Sequence, residues 1–266
     1  MKIAVCLSGQ LRNWEIAKFN QKWFWETSSA DQIDYFIHTW NYSGDRKGVS
    51  QEYEWRDVTR KEFNKIVKWY DIKKSIYDTK KQKYFYGDDH WSALFYSFAQ
   101  SVMLKRQYEM EQGFEYDLVI KSRPDIAFHP KRHFSYEYLE DNHLHTTHGG
   151  NMEHEFGMFN CNDICFYSNS YTMDMLVNLY FHRQKVINGY SGYDIEGGDL
   201  NFHPLGPGTL IQEYCRDFGI TTLPTFGKHG HWQETICKLG CPDDLDLLDV
   251  NEFHGMEKYF REWYTK

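Results

Sequence analysis

Lys2–Arg12 (KIAVCLSGQLR) and Tyr116–Phe128 (YDLVIKSRPDIAF) decide the reading of this chain. Each is a short apolar run that breaks into a polar cluster, Ser8-Gly9-Gln10-Leu11-Arg12 in one and Lys121-Ser122-Arg123-Pro124-Asp125 in the other. Unbroken apolar runs of this length are the pattern of parallel strands covered on both faces. In open α/β sheets, ligands sit beyond the carboxyl ends of such strands. Two cations and a carboxylate at one strand end, with an arginine at another, suit a phosphate-bearing ligand held with a divalent metal. An activated nucleotide meets that description most simply.

The pattern extends outward from these two stretches. Ile3–Leu7 reads as the first strand, and a helix is expected from Trp14 to Thr27 with Ile16, Phe19, Trp23 and Phe24 on its apolar side. Ile33–Thr39 follows as a second strand ending at His38 and Trp40, which completes a βαβ unit. Asn41–Asp89 has weak periodicity and reads as an insertion or lid with one helix, Thr59–Tyr70. A long helix is predicted over Trp91–Glu111, with Gly113 as its stop. Asp117–Ile120 is the third strand, and Ile126–Phe128 continues extended beyond Pro124.

Pro130–Met158 supports no assignment. Ile164–Tyr167 reads as a strand, and Met173, Leu176, Val177 and Tyr180 mark an amphipathic helix. Gly189–Gly208 is glycine-rich and reads as a long loop. Pro207 opens a helix with Leu210, Ile211, Tyr214 and Phe218 on its apolar face, stopped by Gly219. Ile220–Leu223 is a last short strand, and the tail Leu245–Tyr264 reads as helical. The expected organisation is a single α/β domain: a nucleotide-binding half over 1–130, an acceptor-side half over 131–244 and a helical tail over 245–266.

Composition narrows the classes of function. A net charge of −8 argues against a nucleic-acid partner. The basic stretch Lys61–Lys83 reads as a solvated helix face. The run Ile3–Leu7 is too short for a secretory signal, and no segment approaches the roughly 18 apolar residues of a membrane span. A soluble protein of the cytoplasm is expected. The six cysteines are sparse, so reduced thiols are expected. The pairs Cys161/Cys165 and Cys237/Cys241 have a spacing longer than the usual zinc knuckle. Aromatic residues make up 18% of the chain, enough for a thick core and for flat faces that could take sugar rings.

In the first cluster, Ser8 and Gln10 are adaptable hydrogen-bonders, Gly9 allows close approach to the main chain, and Arg12 offers a planar fork matched to phosphate. The spacings of a Walker loop and of a dinucleotide fingerprint are both absent. In the second cluster, Pro124 keeps Arg123 out of the helical region, which would set residues 121, 123 and 125 on one face of an extended segment. Asp125 is a natural ligand for Mg²⁺ or Mn²⁺, and Lys121 with Arg123 could neutralise a diphosphate as its charge grows. His38 ends a strand beside this site.

KIAVCLSGQLR, DYFIHTW and YDLVIKSRPDIAF together resemble glycosyltransferases of the GT-A type, and more narrowly a group from viral and bacterial surface-polysaccharide pathways. NDICFYSNSYTMDMLVNLY and FHPLGPGTLIQEYCRDFGI resemble the acceptor-side half of such enzymes. The resemblance implies a GT-A-like, mostly parallel sheet flanked by helices. It also implies transfer of a sugar from a nucleotide-diphosphate donor to a glycan hydroxyl. By the same resemblance, Ser8, Gly9, Gln10, Arg12, His38, Lys121, Arg123 and Asp125 would bind the nucleotide-sugar. Asp125 matches the last acid of the family's D-x-D motif and would hold Mn²⁺ or Mg²⁺. Arg123 stands where the first acid usually is, so the metal is held loosely or Arg123 serves in its place. Asp163 is the first choice for the base, with Glu196, Asp199 and Glu213 behind it, and His231 or His229 would be a late metal ligand. The rival reading is a non-catalytic glycan-binding or virion-associated module on the same fold.

Overall fold

The structure is a computed structural model, and it describes residues 1–46, 53–79, 90–128, 134, 139–148, 161–182, 207–224 and 236–238. Its strands are β1 (Lys2–Ser8), β2 (Gln32–Trp40), β3 (Tyr42–Arg46), β4 (Tyr53–Asp57), β5 (Lys74–Asp78), β6 (Leu118–Ser122), β7 (Ile126–Phe128), β8 (His143–His148), β9 (Cys161–Ser168), β10 (Thr221–Pro224) and β11 (Ile236–Lys238). Its helices are α1 (Trp14–Glu26), α2 (Arg60–Tyr70), α3 (His90–Gln112), α4 (Ser170–Leu176) and α5 (Pro207–Asp217).

Seven strands form the central sheet in the order β10-β8-β9-β6-β1-β2-β5. The pairs β6/β1, β1/β2, β2/β5 and β10/β8 are parallel, whereas β9 is antiparallel to both of its neighbours. This is the mostly parallel, helix-flanked α/β sheet expected from the apolar runs. It draws strands from both sides of residue 130.

β1 explains why the runs are unbroken: Ile3, Ala4, Val5, Cys6 and Leu7 are all fully buried. Ala4 and Cys6 face a cluster with Phe95, Phe98 and Val102 of α3. Ile3, Val5 and Leu7 face the opposite cluster, with Phe24 and Trp25 of α1 and Phe63 and Ile66 of α2. α2 starts at an N-cap, where the Thr59 hydroxyl accepts from the Glu62 amide, and it leaves Lys61, Lys65 and Lys68 exposed. α3 ends at Gly113, whose φ of 71° is the left-handed stop expected there.

Three expectations change. α1 is rotated relative to the face read from its apolar residues: it buries Trp14, Ala17, Asn20, Gln21, Phe24 and Trp25, and leaves Phe19 exposed. The reason is polar. Asn20 gives and receives a hydrogen bond with the Phe128 backbone, at 2.8 and 2.6 Å, and Gln21 donates to the carbonyls of Arg123 and Ile126. Next, the presumed lid region holds the β3–β4 hairpin and the edge strand β5. β8 lies within the stretch that supported no assignment. β5 and β8 are short and half polar, so they lack the apolar run that betrays a central strand. The tail over 245–266 and most of Gly189–Gly208 lie outside the described residues. No helix among the described residues is long and apolar enough to cross a membrane.

α3 and α4 are joined by a buried charge cluster. The fully buried Lys105 ammonium donates to Glu109, Ser170 and Asp174 at 2.8, 2.5 and 2.8 Å. Glu109 in turn accepts from the Tyr116 amide at 2.9 Å, which fixes the entry to β6. Removing one member of such a group leaves a buried charge unmatched, so Lys105→Met should lower unfolding free energy by about 3–5 kcal/mol in urea titration. A loss below about 1 kcal/mol, the range of an exposed pair, would contradict the role assigned to it.

Candidate active site

Four strands meet at one rim. β1, β2 and β6 run parallel and end there, at Ser8, Trp40 and Ser122. β9 runs the other way and therefore starts there: Lys121 is registered against Phe166, and Asp163 stands three residues nearer the start of β9.

The turn after β1 needs glycine. Gly9 has φ 120°, and a Cβ there would meet nothing within 4 Å, so the requirement is backbone conformation and not space. Its amide donates to the His38 carbonyl at 3.3 Å. Asn13, at φ 40°, closes the turn before α1 in a region that asparagine tolerates. The Gln10 side-chain oxygen accepts from the Gly44 amide at 2.8 Å and from Arg12 Nε at 2.9 Å. One amide thus ties the β3–β4 hairpin to the turn and orients the Arg12 guanidinium.

At the end of β6, Arg123 and Asp125 form a two-point pair: Nε to Oδ1 at 2.8 Å and Nη2 to Oδ2 at 2.5 Å. The backbone turns at Pro124 and Asp125 and is not extended as expected. The two side chains meet because the chain bends. The Gln21 amide, bonded to carbonyls on both sides of the bend, holds it. Burial alone would raise the Asp125 carboxyl. The charge and hydrogen bonds of Arg123, then the Arg12 charge and a backbone N–H, hold it below the ordinary carboxylate range. Arg12 and Asp125 therefore lie within electrostatic reach of each other at the rim.

Lys121 has a different task from the one expected. It is 1% exposed and donates to the backbone carbonyls of Asp163 and, at 3.1 Å, Ile164. Burial pushes its ammonium down to about 8, against the opposing pull of the Asp163 carboxylate. Lys121 thus anchors the start of β9 and holds the half-buried Asp163 at the rim. His38 is fully buried, with Nδ1 2.8 Å from Ser97 Oγ of α3, and its ring meets Trp40 and Tyr96 edge-on. Ser8 is buried beside it as its register partner.

Of the alternative acids, Glu213 is buried on α5 and paired with Arg216, whereas Glu196 and Asp199 lie outside the described residues. His229 and His231 lie outside them as well. The donor set around Asp125 does not fit a divalent cation: both carboxylate oxygens are occupied by a guanidinium, which would repel one. Among the described residues, no group of three or more His, Cys, Asp or Glu is arranged to hold a metal. Cys161 and Cys165 are buried.

Asn20 and Gln21 are the site-supporting residues that sequence reasoning missed. Two adjacent amides within the most aromatic helix of the N-terminal half were the available signal.

No protein-family model matches the chain, and no curated protein matches it either. Solved structures do. A glycosyltransferase involved in the glycosylation of the major capsid of PBCV-1 has 11% identity and a TM-score of 0.40, covering 85% of this chain and 82% of that one. A nucleoside-diphosphate-sugar pyrophosphorylase from Vibrio cholerae has 11% identity and a TM-score of 0.45, covering 92% and 98%. Likenesses this distant say nothing of chemistry, which rests on the side chains at the rim.

Between about 8 and the ordinary 10.5, the unfolded chain holds more protons at Lys121 than the folded one does. The destabilisation from burying the charge is therefore full below pH 8 and fades as pH rises towards 10.5. Relative to Lys121→Met, the wild-type protein should gain on the order of 2–3 kcal/mol of stability across that window. Parallel stability profiles for the two proteins would contradict the buried, charged assignment.

Proposed function

We propose that this chain is a glycosyltransferase that moves a sugar from a nucleotide-diphosphate donor to a hydroxyl of a glycan or similar acceptor. The observation that carries the reading is the gathering of Arg12, Arg123, Asp125 and Asp163 at one rim of a mostly parallel sheet. Two of the four are guanidiniums, set at strand ends in a chain of net charge −8. Guanidinium N–H groups at strand ends match phosphate oxygens and favour an anionic ligand.

In this reading, the Arg12 and Arg123 guanidiniums bind the diphosphate and stabilise the charge that grows on it. The Asp163 carboxylate takes the proton of the acceptor hydroxyl. The acceptor oxygen bonds to the anomeric carbon, and the electron pair of the breaking C–O bond passes to the diphosphate. Asp125 holds Arg123 in place, and Arg123 serves where relatives of this type would use a metal. Stabilising the leaving charge in this way acts on the transition state and not on the bound donor alone.

Three outcomes test the reading. With a panel of nucleotide sugars, the wild-type protein should release nucleoside diphosphate at a rate unchanged by chelator; full dependence on added Mn²⁺ would overturn the role given to Arg123. Asp163→Asn should cut kcat for transfer by about 10²–10⁴-fold while leaving donor KM within about twofold, as expected on removal of a general base. Arg12→Ala and Arg123→Ala should each weaken nucleoside-diphosphate binding by about tenfold, the value of one charged hydrogen bond. Unchanged affinity in both arginine variants would sink the diphosphate site.

A further inference from the structure

Around the ends of β1 and β2 and the start of β3, several buried polar atoms lack a hydrogen-bond partner among the described residues: Ser8 Oγ, His38 Nε2, Thr39 Oγ1, Asn41 Oδ1 and Ser43 Oγ. Buried polar groups are nearly always paired, so the unpaired Ser8 and His38 atoms, neighbours at the strand ends, point to a partner from outside the described residues. Ser8 and His38 are opposed in the β1/β2 register, so their side chains share one face of the sheet. The bond to Ser97 shows that this is the face towards α3.

The Ser97 hydroxyl fixes what His38 can do. Its single proton can go to the His38 backbone carbonyl, at 3.2 Å. With that proton on the carbonyl, the Ser97 oxygen accepts from His38 Nδ1 at 2.8 Å, and the proposal takes this tautomer, with Nδ1 as the protonated nitrogen. Nε2 is left with a bare lone pair. Burial keeps the ring neutral, pushing its value down to about 3 against a backbone hydrogen bond that favours the charged form. A neutral ring with a bare lone pair repels phosphate and accepts from an uncharged N–H or O–H.

We propose that His38 Nε2, held as an acceptor by Ser97 and flanked by Ser8, receives a hydrogen bond from an uncharged donor group of the bound nucleotide-sugar. This rests on the function proposed above and divides the ligand between two neighbouring places. The diphosphate lies with Arg12 and Arg123, and a neutral, donor-bearing part lies with His38. That part is an N–H or O–H of the nucleoside or a hydroxyl of the sugar. Trp40 and Tyr96 pack edge-on against the His38 ring, at centroid distances of 4.8 and 5.3 Å.

The test has two arms. Nitrogen-15 NMR of the free protein at neutral pH should show His38 protonated at Nδ1 and bare at Nε2; the opposite tautomer overturns the proposal. Titration calorimetry then compares wild type, His38→Leu and His38→Gln with pyrophosphate, UDP, GDP and UDP-glucose. Loss of one uncharged hydrogen bond should weaken UDP and GDP about tenfold in His38→Leu, with partial recovery in His38→Gln, if the nucleoside is the source. The same loss confined to UDP-glucose makes the sugar the source. Pyrophosphate, which lacks the donor group, should change less than about twofold. If the wild type binds these nucleotides and both variants bind them equally well, the inference fails and the function stands. If the wild type binds none of them, both fail.

Discussion

The candidate site depends on one buried ammonium group. Lys121 sits at the end of β6 with its Nζ on the carbonyls of Asp163 and Ile164, and so joins the parallel half of the sheet to the one strand that runs against it. Without an antiparallel β9, its first residues would emerge at the far edge, away from the ends of β1, β2 and β6. A lysine buried to this degree is unfavourable on its own. Its place here is explained by geometry: two backbone carbonyls at a strand start need donors, and the ammonium reaches both from inside the sheet.

Around that anchor, the site is assembled from side chains that hold one another before any ligand arrives. Gln10 orients Arg12, Asp125 orients Arg123, and Gln21 of α1 grips the bend between Arg123 and Ile126. Positive charge fixed in this way would need little rearrangement for the diphosphate proposed above, and fixed charge is the main source of stabilisation for a charged leaving group. The Arg123–Asp125 pair also changes the expected chemistry of the acid. A carboxylate with both oxygens on a guanidinium supports that cation and is a poor ligand for a second one.

What could be read in the sequence was whatever depends on long apolar patterns. β1, β2, β6 and the α3 helix stand out because both faces of the central strands are buried, and the polar clusters that end them mark the rim. The α1 face was misread because Asn20 and Gln21, buried to bond the backbone of residues 123–128, look like surface residues to any hydropathy pattern. β5 and β8 were missed because short half-polar strands acquire their conformation from neighbours and not from their own composition. Arg123 and Asp125 meet through a bend and not along an extended run. The period of an extended run sets Lys121 on one face with them, and the bend at Pro124 removes that basis. The partners of Lys121, backbone carbonyls across the sheet, leave no trace in sequence.

The central claim is that a diphosphate binds between the two guanidiniums at the rim. A crystal structure of the protein soaked with UDP tests it most directly. The account predicts both phosphates within hydrogen-bond reach of Arg12 and Arg123, beside the Ser8–Gly9 turn. Phosphates bound elsewhere on the molecule, with Arg12 and Arg123 unchanged and untouched, would contradict it.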